Sequence, residues 1–202
     1  MPRALSEIEV ADFRDRLCEA ASRIFVEKGL AGFTMRELAA ALGVSPMTPY
    51  RYFKDKEEIL AAVRAKAFDD FSAAMENAFN AAPKGDPVAQ STGAGDAYIV
   101  FAFAHPEAYR LMFEINQDDD GSHPDLERAT ERARGTMTRH VDGLVERGLL
   151  HGDPMLIGHI YWAALHGAVM LKLAGKLTPE YDFKKVCDAL LGAVTNGLRT
   201  RS

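Results

Sequence analysis

Apolar residues recur at helical spacing along the chain, and the strict alternation that marks strands is missing. Phe13, Leu17, Ala20, Ala21, Ile24 and Phe25 form one stripe of a first helix. It opens at Ser6, where Glu9 supplies a capping box, and closes at Gly29. Thr34 and Glu37 repeat the capping spacing ahead of a short helix that ends before Gly43. A third element opens at Ser45 with Pro46 at its first helical position, and residues 55–58 cap a fourth. That fourth helix runs through Ile59, Leu60, Val63, Phe68, Phe71 and Met75 towards Phe79, and residues 81–87 come after it as a loop. Further on, the chain bends at His105-Pro106, restarts, and passes a polar stretch at 118–122. The stripe Leu126, Ala129, Ala133, Met137, Val141 and Leu144 then stops at Gly148, and two last helices begin after Asp153-Pro154 and Thr178-Pro179. The pattern predicts an all-α fold of about nine helices.

Composition changes the picture in three places. The chain's 202 residues suffice for one large or two small domains. Its 24 basic and 29 acidic side chains are unevenly spread: 11 against 10 in residues 1–66, and 13 against 19 thereafter. No acid occurs from Leu38 to Lys54, so a locally basic surface sits inside an acidic protein. Two cysteines, Cys18 and Cys187, exclude a disulfide framework, and with no signal peptide in view a cytoplasmic location is expected. Residues 156–173 approach the ~20 needed to cross a bilayer. They contain His159, His166 and Lys172 and lack a flanking basic cluster, which fits a helix buried against others, so no membrane partner is expected.

Residues 34–53 hold the feature that carries function. Two short helices are joined by Ala41-Leu42-Gly43-Val44-Ser45, with Gly43 for the tight turn and Ala39, Leu42 and Val44 to pack the corner. In a helix-turn-helix the second helix enters the major groove by its N-terminal residues. Ser45, Pro46, Met47, Thr48, Tyr50, Arg51 and Tyr52 occupy that position. They offer hydroxyls for phosphates, an Arg for guanine and apolar atoms for thymine methyls. Any helical protein contains helix-Gly-helix corners. This one is distinguished by the missing acid and by the aromatic-basic run from Tyr50 to Lys54.

Ile24-Phe25-Val26-Glu27-Lys28-Gly29, Phe33 to Ala39, Leu42-Gly43-Val44-Ser45 and Tyr50 to Leu60 together resemble the DNA-binding domain of the TetR family. That resemblance implies a helix-turn-helix domain over 1–64 and a helical effector-binding and dimerisation domain over 65–202. It also implies a homodimeric repressor that leaves a double-stranded, palindromic operator when a small molecule binds. Thr34, Thr48, Tyr50 and Lys56 would then contact phosphates, and Arg36, Pro46, Met47, Arg51 and Tyr52 would lie at or near base edges. The segments from His105 to Phe113 and from Trp162 to Gly167 are similar to the subgroup whose C-terminal domain carries a Trp-His-Gly signature. One departure is Pro49, where the family usually has a bulky aliphatic. A helix capped by Ser45 would lose its first internal hydrogen bond there; alternatively the regular helix begins at Thr48-Pro49.

The last two helices carry apolar faces too wide for one partner, with Ala163, Ala164, Gly167 and Ala168 small and Leu190, Val194 and Leu198 bulky. Used twice by a two-fold axis, they would form a four-helix bundle. Phe101, His105, Tyr109, Met112, Phe113, Met137, His140, Trp162, His166 and Met170 are the residues expected to line an apolar or aromatic effector's pocket. No metal-ligand spacing, phosphate-binding loop or nucleophile elbow occurs, so neither cofactor, metal nor catalytic residues are expected. The competing readings are a helical small-molecule binder or enzyme using its N-terminal helices as scaffold, and an activator or chromosome-organising protein without effector.

Overall fold

The computed structural model describes residues 6–113 and 123–199; the polar stretch expected at 118–122 lies outside the described residues. They form eight α-helices and one three-residue 3-10 turn. The helices are α1 (Glu7–Gly32), α2 (Met35–Ala41), α3 (Lys56–Ala81), α4 (Pro87–Ala104), α5 (Pro106–Phe113), α6 (Pro124–Glu146), α7 (Pro154–Leu173) and α8 (Phe183–Leu198), and the 3-10 turn is Pro49–Arg51.

Local chemistry sets most of the boundaries. The Ser6 hydroxyl accepts the Glu9 N–H while the Glu9 carboxylate accepts the Ser6 N–H, so both halves of the capping box form. Gly29 (φ +68°) interrupts α1 where a cap was expected. Thr34 caps α2 by accepting the Glu37 N–H at 3.2 Å. Asp86, Asp153 and Asp182 cap α4, α7 and α8 in the same way, with Pro at the first turn of α4 and α7.

The chain divides into two compact units: Met1–Phe68 with Glu107–Thr130, and Asp69–Pro106 with Glu131–Ser202. Leu17, Ala21, Phe25, Leu38, Phe53 and Ile59 centre the first core, where Phe25 stacks on Phe33 at 4.2 Å. Leu111 of α5 belongs to the same core, whereas the sequence placed everything after residue 64 in a second domain. The physical reason is Arg64. Its buried guanidinium donates from Nε to the Leu111 carbonyl (3.1 Å) and from Nη2 to the Met112 carbonyl (3.5 Å), satisfying the end of α5.

In the second unit Phe71 meets Tyr98 and Phe101 edge-on at 5.3 and 5.4 Å. Helices α6 and α7 approach so closely at Gly158 that a Cβ there would lie 2.9 Å from Thr138 Cα. Arg132 ties α6 to α3 through Glu76 (Nη2 to Oε2, 2.6 Å) and Asp69 (Nη1 to Oδ1, 3.0 Å). Helix α7, long and apolar enough to cross a membrane, buries Ile157, Gly158, Leu165, Ala168 and Val169 in this unit.

Candidate functional site

The corner after α2 is a Schellman turn. Val44 N–H bonds the Ala39 carbonyl and Gly43 N–H bonds the Ala40 carbonyl, with Gly43 at φ +66°. The next element is not a regular α-helix. The Ser45 carbonyl takes the Thr48 N–H at 2.8 Å, closing a tight turn over Pro46 and Met47. The 3-10 turn then begins at Pro49, whose carbonyl accepts from both Tyr52 and Phe53 at 3.0 Å. Proline explains the break: with no N–H at position 49, the Ser45 carbonyl takes the N–H three residues on instead of four. Of the two alternatives read from the sequence, the later start at Thr48-Pro49 gives the right position, but the element is a 3-10 turn and not a regular helix. Pro49 is nonetheless fully buried.

Helix α1 anchors the far end of the element. Arg14 Nη1 donates to the Tyr52 carbonyl at 2.7 Å, and its guanidinium lies 4.3 Å over the Phe53 ring. Phe13 packs on Tyr52, ring centres 4.9 Å apart. Sequence reading missed Arg14 because its partners are some 38 residues away.

Of the residues expected at DNA, Thr34, Arg36, Ser45, Pro46, Met47, Tyr50 and Arg51 are exposed. Thr48, Tyr52 and Lys56 are half-buried, and Tyr52 commits its ring to Phe13. Met47 and Tyr50 stand out with 68% and 49% of their surface open, far more than a core would leave. The side chains of Arg36 and Arg51 make no hydrogen bond or ion pair with another described residue, while Glu37, next to Arg36 in the chain, is held by Lys28 Nζ at 2.5 Å. That bond keeps the Glu37 carboxyl below its usual range and the Lys28 ammonium above its own.

The second unit holds a cavity of about 610 Å³ walled by α3, α4, α6, α7, α8 and the segment after α6. Met137, His140 and Trp162 line it. The other expected pocket residues do not. Tyr109 and Met112 are buried and Phe113 packs edge-on to Phe68, because Arg64 draws α5 into the first unit. Phe101 turns to Phe71, and His105 ends α4 with its ring 5.1 Å from Phe101. His166 and Met170 follow Trp162 by about one and two turns, roughly 6 and 12 Å farther along α7.

The cavity's polar lining comes in pairs that the sequence reading did not assign. Ser91 Oγ meets His140 Nδ1 at 2.9 Å, and the Tyr161 hydroxyl meets Thr195 Oγ1 at 2.7 Å. Burial pushes His140 below its usual range, outweighing the opposing pull of the Met137 backbone and the Asp142 charge, so the ring is neutral near pH 7. Burial also raises the Cys18 thiol to about 11, which keeps it from acting as a nucleophile. Among the described residues no cluster of His, Cys, Asp and Glu is placed to hold a metal.

Residues 17–63 match the family of bacterial regulatory proteins named for tetR, and residues 91–194, just over half of the chain, match the tetracyclin repressor-like C-terminal domain. The chain belongs to the TetR family. A helix-turn-helix transcriptional regulator of Mycobacterium tuberculosis is 26% identical over 189 residues, covering 94% of this chain and 83% of its own. The transcriptional activator FasR of Mycolicibacterium smegmatis is 28% identical over 134 residues, 66% of this chain and 59% of the activator. A Rhodococcus sp. RHA1 protein superposes with a TM-score of 0.80 at 27% identity, covering 93% of this chain and 95% of that one. The TetR family regulator PfmR of Thermus thermophilus superposes at 0.69 with 23% identity, covering 92% and 100%. This TetR-family chain is therefore a helix-turn-helix transcriptional regulator and not an enzyme. Its turn and 3-10 element fall inside the matched DNA-binding segment, and its cavity falls largely inside the matched C-terminal one.

Proposed function

We propose that this TetR-family regulator is a homodimeric repressor that a small molecule, bound in the second unit, releases from a palindromic operator. The cavity of about 610 Å³ carries the reading, since it lies within the size range of small-molecule sites and combines apolar walls with few polar groups. Thr34, Ser45, Thr48, Tyr50 and Lys56 serve the phosphates; Arg36, Arg51, Pro46 and Met47 meet base edges, with Tyr52 beside them. An effector acts by binding more tightly to the dimer whose reading elements do not match successive major grooves, about 34–36 Å apart.

Self-association through α7 and α8 is favoured by the surface those helices leave uncovered. Ala163 and Gly167 on α7, and Ala189, Ala193 and Gly197 on α8, are exposed at four-residue spacing. Leu156 and Leu171 leave 58% and 47% of their surface open beside them. Small residues in such a row let two copies of a helix pair approach closely.

Selection of bound duplexes from a random library, and then sedimentation of the complex, tests this reading. Paired inverted half-sites and an even number of chains per duplex are expected. An asymmetric site bound by a single chain would contradict the dimer, and a reporter behind the selected site reads the sign of regulation.

A further inference from the structure

The cavity's charges are distributed in a way that restricts its ligand. Among the described lining residues two are of acidic or basic type with a formal charge, Asp96 and Arg199; they are opposite in sign, and both are exposed. The other polar lining groups include two neutral pairs, Ser91 with His140 and Tyr161 with Thr195. A carboxylate or ammonium carried inward would lose its hydration there and meet no buried counter-charge, a cost that a hydroxyl or carbonyl avoids by accepting one hydrogen bond. His140 is equipped to supply that bond. Its Nδ1 is occupied by Ser91, and a serine hydroxyl can donate or accept, so either tautomer of the ring can be held while Nε2 takes the complementary role. Met75, Leu144, Leu165 and Leu191 surround these groups with apolar wall.

Resting on the reading of the cavity as an effector site, we propose that its ligand is an uncharged, largely apolar molecule bearing a hydroxyl or carbonyl group that hydrogen-bonds to His140. Shape sets the fit of the apolar body, and the missing buried counter-charge rejects the ionised analogue.

The test uses the full chain with Nile red, an uncharged fluorophore, as the displaceable probe. Matched competitors differ only at the polar end: 1-dodecanol against dodecanoate, and a steroid alcohol against the carboxylate of the same skeleton. At least one alcohol is expected to displace the probe about tenfold more tightly than its carboxylate. His140→Phe, which keeps an aromatic ring and removes the hydrogen bond, is expected to erase most of that preference while Nile red still binds. Arg199→Gln is expected to leave the alcohol's affinity unchanged. Carboxylates that bind as tightly as the alcohols, and weaken about tenfold in Arg199→Gln, would overturn the proposal by placing an anionic head at the rim. Retention of the alcohol preference in His140→Phe, or failure of every alcohol to displace the probe, would overturn it as well. An alcohol that binds as proposed yet leaves the selected duplex bound would instead contradict the effector reading, which keeps the two failures distinct.

Discussion

The Arg36 and Arg51 side chains of the first unit reach solvent with no hydrogen-bond or ion-pair partner among the described residues, whereas four polar groups lining the second unit's cavity meet in pairs, Ser91 with His140 and Tyr161 with Thr195. The first unit is packed tightly around Leu38 and Phe53 and leaves its chemistry outside; the second encloses about 610 Å³ of space and keeps its chemistry inside. Each end is thereby suited to a different kind of ligand. Guanidinium groups left unpaired in water cost little and gain partners from phosphates and guanines. Polar groups left unpaired in an apolar cavity would be costly, and the two pairs avoid that cost for the four groups that form them.

The contrast between the units collapses most completely when the first core is cut. Leu38 is fully buried, so Leu38→Ala should cost about 2–5 kcal/mol in thermal or denaturant unfolding and abolish duplex binding. In the second unit, Gly158→Ala forces a methyl against the backbone at Thr138 and should cost about 1–3 kcal/mol, with Nile red binding lost before duplex binding. Arg36→Ala should leave the melting temperature unchanged and remove about 1–3 kcal/mol of discrimination between the selected and a scrambled duplex. Unchanged discrimination would remove Arg36 from the base contacts. Pro49→Leu returns an N–H to the turn, and its expected effect is a changed preferred site with small loss of stability, read by repeating the duplex selection. The smallest effect is at the rim of α3. Arg132 holds the Glu76 carboxyl below its usual range, so the pair's stabilisation is complete above about pH 4.5 and is lost as pH falls through the lowered value. Glu76→Gln should therefore cost about 0–1 kcal/mol near pH 7 and nothing at low pH.

Much of this was legible in the sequence. The caps at Ser6 and Thr34, the start of α7 after Asp153 and the turn at Gly43 are local signals, and each governs structure within a few residues of itself, whereas Gly29, expected to end α1, only interrupts it. The helix-turn-helix was legible for the same reason, as a run of short-range motifs. Pro49 was recognised as a disturbance, yet periodicity could not say that the Ser45 carbonyl would settle for Thr48 and split the element into two turns. The cavity was the hardest part to read. Aromatic and Met stripes mark apolar faces without saying which partner covers them, so α5 was assigned to the pocket although Arg64 binds it into the other unit. Ser91 and Thr195 carry no periodic signal at all, and their pairing with His140 and Tyr161 depends on contacts more than thirty residues apart.

Whether the exposed residues of the first unit read DNA is decided by fluorescence anisotropy of the full chain on labelled duplexes, across a salt series and against scrambled controls. Selective binding is expected to duplexes drawn from DNA flanking its own coding sequence or from the random selection, weakening steeply as salt rises. Arg36→Ala and Arg51→Ala are expected to lose the selectivity and keep the fold. Equal, weak binding of the wild-type chain to every duplex, selected and scrambled alike, would contradict a sequence-reading role for this unit.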